Sequence, residues 1–309
     1  MHSQPNARPS ATSSIHQRPV DDEWELECAS LDVLTNTHRD NFDRVARTQP
    51  VLVDARGCWP RDANVLSLLS FDYGHLKLSD MGTLYGSLAH TERSLGLNPE
   101  VSARIRSRLE AWTLSDFLEA AKAGEAEFYL ANLALKQFPR IANRYRSPDV
   151  GPRNVIPSER ARAPELFVGS ANTQYSNLHV DSIGGSVWCV CLEGEKEWVV
   201  FPPEDSKFLC AFRLGDLQLR HSLLDPWNKE LCARFPLAQL HPYRVRLQAG
   251  QALFLPPNWW HITRNHGLTI TINERLWSWS TLRYFIPWFF AELRARIPEI
   301  QQPYVLYSK

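Results

Sequence analysis

A mainly β protein built on a jelly-roll barrel, with helices before it and a short helical segment after it, is the fold this sequence predicts. Three observations carry that reading. Strand-forming runs crowd the second half of the chain, separated by Gly and Pro turns. The stretch from about 21 to 145 is mostly helical in pattern. After Trp277 the spacing turns helical again, with Phe285, Phe289 and Leu293 on one stripe.

Residues 1–20 are rich in Ser, Pro, Gln and Arg and read as a disordered tail. The segment 21–160 reads as a mainly helical part that packs on the barrel, with one early strand at Pro50-Val51-Leu52-Val53-Asp54. Thr113-Leu114-Ser115-Asp116 opens a helix as a capping box. Its apolar stripe is Leu114, Phe117, Leu118 and Ala121, and Gly124 ends it. Glu127-Phe128-Tyr129-Leu130 follows as a short extended entry. Residues 146–164 hold four prolines and several arginines and read as a surface loop.

The core, 161–276, begins with a strand at Leu166 to Gly169. The further strand runs are Ser186 to Glu193, Lys196 to Phe201, Tyr243 to Gln248, Ala252 to Leu255, Trp260 to Arg264 and Leu268 to Asn273. The stretch 204–242 is too long for a turn and reads as an insert capping the barrel mouth. Residues 277–309 form the C-terminal helical segment.

Composition narrows the function classes. With 309 residues, 44% hydrophobic and 22% charged, the chain can bury a large core. The 34 basic and 34 acidic residues cancel, which leaves no electrostatic footprint for duplex nucleic acid or an anionic membrane. The apolar run Tyr284 to Leu293 is too short to span a bilayer and contains Pro287. The N-terminal stretch lacks the apolar run of a secretory signal. Cys28, Cys58, Cys189, Cys191, Cys210 and Cys232 show no CxxC pair. Reduced thiols fit a cytoplasmic setting, or a nuclear one in a eukaryote.

The chemistry concentrates in two segments, Asn177-Leu178-His179-Val180-Asp181 and Pro257-Asn258-Trp259-Trp260-His261. In a strand, residues i and i+2 point to one side, so His179 and Asp181 can grip one ion while Val180 faces away. A neighbouring strand can add His261. Two imidazoles and one carboxylate make the facial triad that holds Fe(II) and leaves positions open for a co-substrate and O2. His-x-acid alone is weakly specific. His38-Arg39-Asp40 and His90-Thr91-Glu92 match it too, but His38 sits in a polar, helix-like stretch, His90 follows a helical run, and both read as solvated surface groups. Val45 stands where a kinase catalytic loop needs Asn, which rules out that alternative. Cys189 and Cys191, two apart with no second pair, do not make a zinc site. His221, His241 and His266 read as structural or substrate-side.

These segments, taken in order, resemble the JmjC-domain oxygenases, Fe(II)- and 2-oxoglutarate-dependent enzymes on a double-stranded β-helix of cupin-like form. The resemblance begins at Gln49-Pro50-Val51-Leu52-Val53 and Phe128-Tyr129-Leu130, and runs through His179-Val180-Asp181 and Gly194-Glu195-Lys196-Glu197-Trp198 with Phe201-Pro202-Pro203. It continues with Ala249-Gly250-Gln251-Ala252-Leu253-Phe254-Leu255-Pro256, Trp259-Trp260-His261 and Thr269-Ile270-Thr271-Ile272-Asn273, covering about 48–276. It is closest to the small hydroxylase branch that acts on asparaginyl and lysyl side chains of proteins.

The resemblance implies roles residue by residue. His179, Asp181 and His261 would hold the metal. Lys196 would pair with the distal carboxylate of 2-oxoglutarate, and a lysine inside an apolar strand pair needs such an anionic partner. Tyr129 would hydrogen-bond the same carboxylate. Ser176 stands where relatives carry Thr or Ser. Asn273 matches an asparagine near the metal, with Thr271 on the same strand face. One departure is plain: relatives commonly place Asn on the strand after the His-x-Asp loop, and this chain has Val187 or Cys189 there.

The implied reaction consumes 2-oxoglutarate and O2, releases succinate and CO2, and hydroxylates a substrate. The expected substrate is a peptide or protein side chain. The alternatives are the same chemistry on a small molecule, natural-product intermediate or tRNA base, a cupin that uses no 2-oxoglutarate, and a catalytically silent binding module. The intact carboxylate of Asp181 favours hydroxylation over halogenation. A homodimer through the C-terminal helical segment is a further expectation.

Overall fold

The computed structural model describes residues 26–290, except 32, 35–41, 43, 47, 82–91, 93–95, 152–153, 156–163, 175, 182–183, 215–218, 280, 284–285 and 287–289. The tail 1–20, most of the C-terminal helical segment, and His38 and His90 therefore lie outside the described residues. The homodimer expected through that segment finds no support among those that are described.

Among the described residues, fourteen strands follow in chain order. The first seven are β1 (Ala29–Ser30), β2 (Val33–Leu34), β3 (Val51–Asp54), β4 (Leu130–Ala134), β5 (Glu165–Gly169), β6 (Leu178–Val180) and β7 (Ser186–Glu193). They continue with β8 (Glu195–Phe201), β9 (Phe212–Leu214), β10 (Leu219–Ser222), β11 (Tyr243–Gln248), β12 (Gln251–Leu255), β13 (Trp260–Asn265) and β14 (Thr269–Leu276). They form two sheets, ordered β1-β11-β8-β13-β6-β10-β9 and β2-β3-β12-β7-β14-β5-β4. Pairing is antiparallel except where β1 joins β11 and β2 joins β3. Neighbours distant in sequence lie side by side in both sheets, which is the jelly-roll arrangement expected.

Strand parity sorts side chains into layers. Val187, Cys189, Trp198, Val200, Leu253 and Leu255 meet between the sheets as one apolar cluster. The alternate residues of the second sheet, among them Trp188, Val190, Phe254 and Ile272, face outward against the N-terminal helices. These helices are α1 (Val65–Tyr73), α2 (Pro99–Ala111) and α3 (Leu114–Lys122). The capping box at the start of α3 is present: the Asp116 amide donates to Thr113 Oγ1 at 3.2 Å and the Thr113 amide to Asp116 Oδ2 at 2.8 Å. Its stripe of Leu114, Phe117, Leu118 and Ala121 is buried, and Gly124 just beyond it takes φ +74°.

Part of the stretch 204–242 packs against the first sheet. It supplies β9 and β10 to the first sheet, with β10 antiparallel beside β6. Leu209, Leu224, Cys232 and Leu240 pack with Leu178, Val180, Trp260 and Ile262 on the outer face of that sheet. The reason is parity: the even residues of β6 and β13 present an apolar surface away from the barrel, and this segment covers it.

Candidate metal centre and co-substrate cavity

β13 pairs antiparallel with β6 so that His261 stands opposite His179. Directly opposed residues share a sheet face, and both rings point between the sheets. Asp181 lies one residue beyond β6 and keeps the extended direction. Its Oδ1 is 3.8 Å from His179 Nε2 and 3.9 Å from His261 Nε2, and the three ligand atoms all lie within 4.8 Å of one another.

The imidazoles are held as ligands should be. His179 Nδ1 bonds the Asn177 carbonyl at 2.8 Å, and His261 Nδ1 bonds the Trp259 carbonyl at 3.3 Å. A carbonyl only accepts, so each Nδ1 carries the proton and each Nε2 keeps its lone pair. Burial pushes both imidazoles below the usual histidine range, and for His179 the neighbouring His261 adds to it. Two neutral nitrogens and one carboxylate oxygen form a donor set suited to a divalent first-row metal, Fe(II) included.

Lys196 projects from β8 into the same cavity and is 2% exposed. Its Nζ donates to the Tyr129 hydroxyl at 2.6 Å and lies over the rings of Tyr129, Phe167 and Trp198 at 5.1–5.6 Å. Burial pulls the Lys196 pKa down, but Tyr129, Cys189 and Cys191 outweigh it and the net direction is up. Burial also raises the Tyr129 phenol. At neutral pH the pair is thus an ammonium and a neutral hydroxyl. Among the described residues no carboxylate forms an ion pair with Lys196, so the cavity holds a buried cation that an incoming anion would neutralise.

Ser176 is buried and lines the cavity, as does Asn273, whose Oδ1 is buried without a hydrogen-bond partner. Thr271 lies deeper, against the Tyr129 hydroxyl and the Cys189 thiol. The cavity encloses roughly 710 Å³, its open mouth included. All eight residues singled out from sequence therefore lie in or against one space. The orphaned Asn273 oxygen, the unanswered ammonium and the nitrogen–oxygen donor set fit a metal and a dicarboxylate.

Among the cavity-lining residues that escaped sequence reasoning are Arg275 and Asn132. Arg275 lines the cavity and places Nη2 3.7 Å from Asp181 Oδ1. The signal was available, since Thr271, Asn273 and Arg275 share one strand parity. Asn132 also lines the cavity, at a bulge in β4 where its φ is +57°. A bulge has no signal in single-sequence patterning. His221 stands opposite His179 from β10, fully buried, with the two rings stacked at 5.6 Å. His241 and His266 lie elsewhere: His241 pairs with Asp205 at 3.0 Å and His266 with Glu197 at 2.8 Å.

Residues 36–277 match the family model described as Cupin-like domain. HSPB1-associated protein 1 of Rattus norvegicus is 33% identical over 122 residues, covering 38% of this chain and 25% of the relative. The 2-oxoglutarate and iron-dependent oxygenase JMJD4 homolog of Drosophila melanogaster is 26% identical over 226 residues, 67% of this chain and 50% of its own length. The bifunctional arginine demethylase and lysyl-hydroxylase psr-1 of Caenorhabditis briggsae is 26% identical over 114 residues, 36% of this chain and 29% of its own length. The chain thus spans between a quarter and a half of the length of these curated relatives.

Proposed function

The chain belongs to the cupin-like domain family, and on that premise we propose that it is an Fe(II)- and 2-oxoglutarate-dependent oxygenase that hydroxylates a side chain of a protein or peptide. The observation that carries the reading is the pairing, in one cavity, of a three-ligand cluster with a buried ammonium lacking a carboxylate partner among the described residues. A cupin using no 2-oxoglutarate has no need of that cation. A relative named for 2-oxoglutarate and iron supports the same chemistry.

In this reading His179, Asp181 and His261 hold the metal, and Lys196 with Tyr129 binds the distal carboxylate of 2-oxoglutarate. When bound, the iron and 2-oxoglutarate together supply the activation of O2, with succinate and CO2 released. The protein's residues do the positioning. The two backbone-bonded Nδ1 protons keep the imidazoles in one tautomer and orientation. The apolar walls, Phe167, Trp198 and Leu255 among them, limit water around the reacting groups.

A protein or peptide substrate is the finer part of the proposal. The cavity opens to the surface, and one relative is named a lysyl-hydroxylase. The stretch 204–242 lends less support than its length promised, because its apolar residues cover the outer sheet face. Among the described residues no helix is long and apolar enough to cross a membrane. The six cysteines are free thiols, which supports the cytoplasmic setting that belongs to this proposal.

The test is succinate release from protein loaded anaerobically with Fe(II), run against a peptide library and a panel of amino acids and metabolites. Stimulation by peptides, with a mass gain of one oxygen on a side chain, is the expected result. Strong stimulation by small molecules alone moves the assignment to a small-molecule hydroxylase. No 2-oxoglutarate turnover under any condition removes it.

A further inference from the structure

Arg275 projects from β14 into the cavity, in the same row as Thr271 and Asn273. Its Nη2 lies 3.7 Å from Asp181 Oδ1, the oxygen that faces both imidazole Nε2 atoms. Its Nη1 is buried and has no hydrogen-bond partner. Asp181 is the carboxylate beside this guanidinium; a divalent ion held by the triad would draw on the same carboxylate and leave Arg275 suited to a further anion.

The register says which anion. β14 pairs with β7 so that Arg275 stands opposite Val187. Val187 also lines the cavity. An apolar valine can neither donate to a carboxylate nor accept from one, whereas the neighbouring arginine offers a planar two-pronged donor.

We propose that Arg275, which stands across from the apolar Val187 with a buried Nη1 that no group among the described residues answers, binds the metal-proximal carboxylate of the 2-oxo acid. The inference rests on the proposed 2-oxoglutarate chemistry and adds a second anchor to it. Lys196 answers one end of the dicarboxylate and Arg275 the other.

The experiment is calorimetric titration of Mn(II)-loaded protein with two ligands, 2-oxoglutarate and 2-oxobutyrate. The second keeps the 2-oxo acid end and lacks the distal carboxylate. Arg275→Met should weaken both ligands by the same factor, on the order of thirtyfold or more. Lys196→Met should weaken 2-oxoglutarate and leave 2-oxobutyrate unchanged. Arg275→Lys, which keeps the charge and loses the fork, should weaken both by a smaller common factor, about three- to tenfold, and it decides the matter if the methionine variant does not fold. Wild-type affinity for 2-oxobutyrate in the Arg275 variants overturns the assignment. So does loss of Mn(II) binding in them, which makes the arginine a brace for Asp181. If the wild-type protein binds 2-oxobutyrate and 2-oxoglutarate at neither end, the underlying oxygenase reading falls with it.

Discussion

His261 stands directly across the β6–β13 ladder from His179, with ring centroids 4.3 Å apart. A non-adjacent pair in sequence is thereby made a local pair in space, and Asp181 completes it from just beyond the same short strand. The cluster depends on a single register. A one-residue slip of β13 would send His261 to the outer face and bring Trp260 inside.

The carboxylate is the charged member of that cluster, so its loss should dominate metal binding. Asp181→Ala is expected to weaken Mn(II) binding by more than the roughly 10–100-fold that loss of an outer-shell partner costs a metal site. Succinate formation should fall to background. Mn(II) titration by electron paramagnetic resonance is the check, and wild-type affinity in the variant would remove Asp181 from the ligand set.

Lys196 should matter through 2-oxoglutarate rather than through the metal. Truncating one partner of a buried charge pair costs about 2–5 kcal/mol, so Lys196→Ala should raise the 2-oxoglutarate dissociation constant by tens- to thousands-fold. Mn(II) affinity should stay near wild type. Tyr129→Phe removes a single neutral hydrogen bond and should cost about 1 kcal/mol, a several-fold effect on the same constant. A tyrosine variant as damaging as the lysine one would reverse this ranking.

Glu197 follows Lys196 and faces the other way. It is fully buried and accepts from Arg244 at 2.8 Å, Arg264 at 2.9 Å and His266 at 2.8 Å. Burial raises its pKa, but these donors prevail and the net direction is down. A lowered carboxyl pKa contributes stability that is present above the unfolded value. That contribution is lost as pH falls through the folded one. Glu197→Gln should therefore lower unfolding free energy at pH 7 by about 3–5 kcal/mol, since it leaves the arginines without their counter-charge. It should also flatten the acid limb of the stability curve. Urea titrations from pH 7 to pH 3 measure both, and parallel curves for the two proteins would contradict the linkage.

Gly194 joins β7 to β8 at φ +76°, and a Cβ there would meet the Leu268 carbonyl oxygen at 2.1 Å. Backbone cannot yield as a flexible side chain would. Gly194→Ala should destabilise the protein by more than the roughly 1–2 kcal/mol of a left-handed alanine alone. A thermal midpoint within a degree of wild type would show that the turn relaxes.

The jelly-roll class and the two segments that supply His179, Asp181 and His261 were legible in the chain because both rest on local periodicity. Alternation within a strand is enough to put His179 and Asp181 on one side, and turn residues mark where each strand ends. Lys196, flanked by Glu195 and Glu197, is singled out through the family resemblance. What only the tertiary structure decided is which strands become neighbours and in which register. That choice brings Arg275 beside Val187 and Asp181, gathers Arg244, Arg264 and His266 on Glu197, and lays the 204–242 stretch along the outer sheet face. Hydrogen-bonded pairing across strands distant in sequence sets these contacts, and no local pattern of residues encodes it.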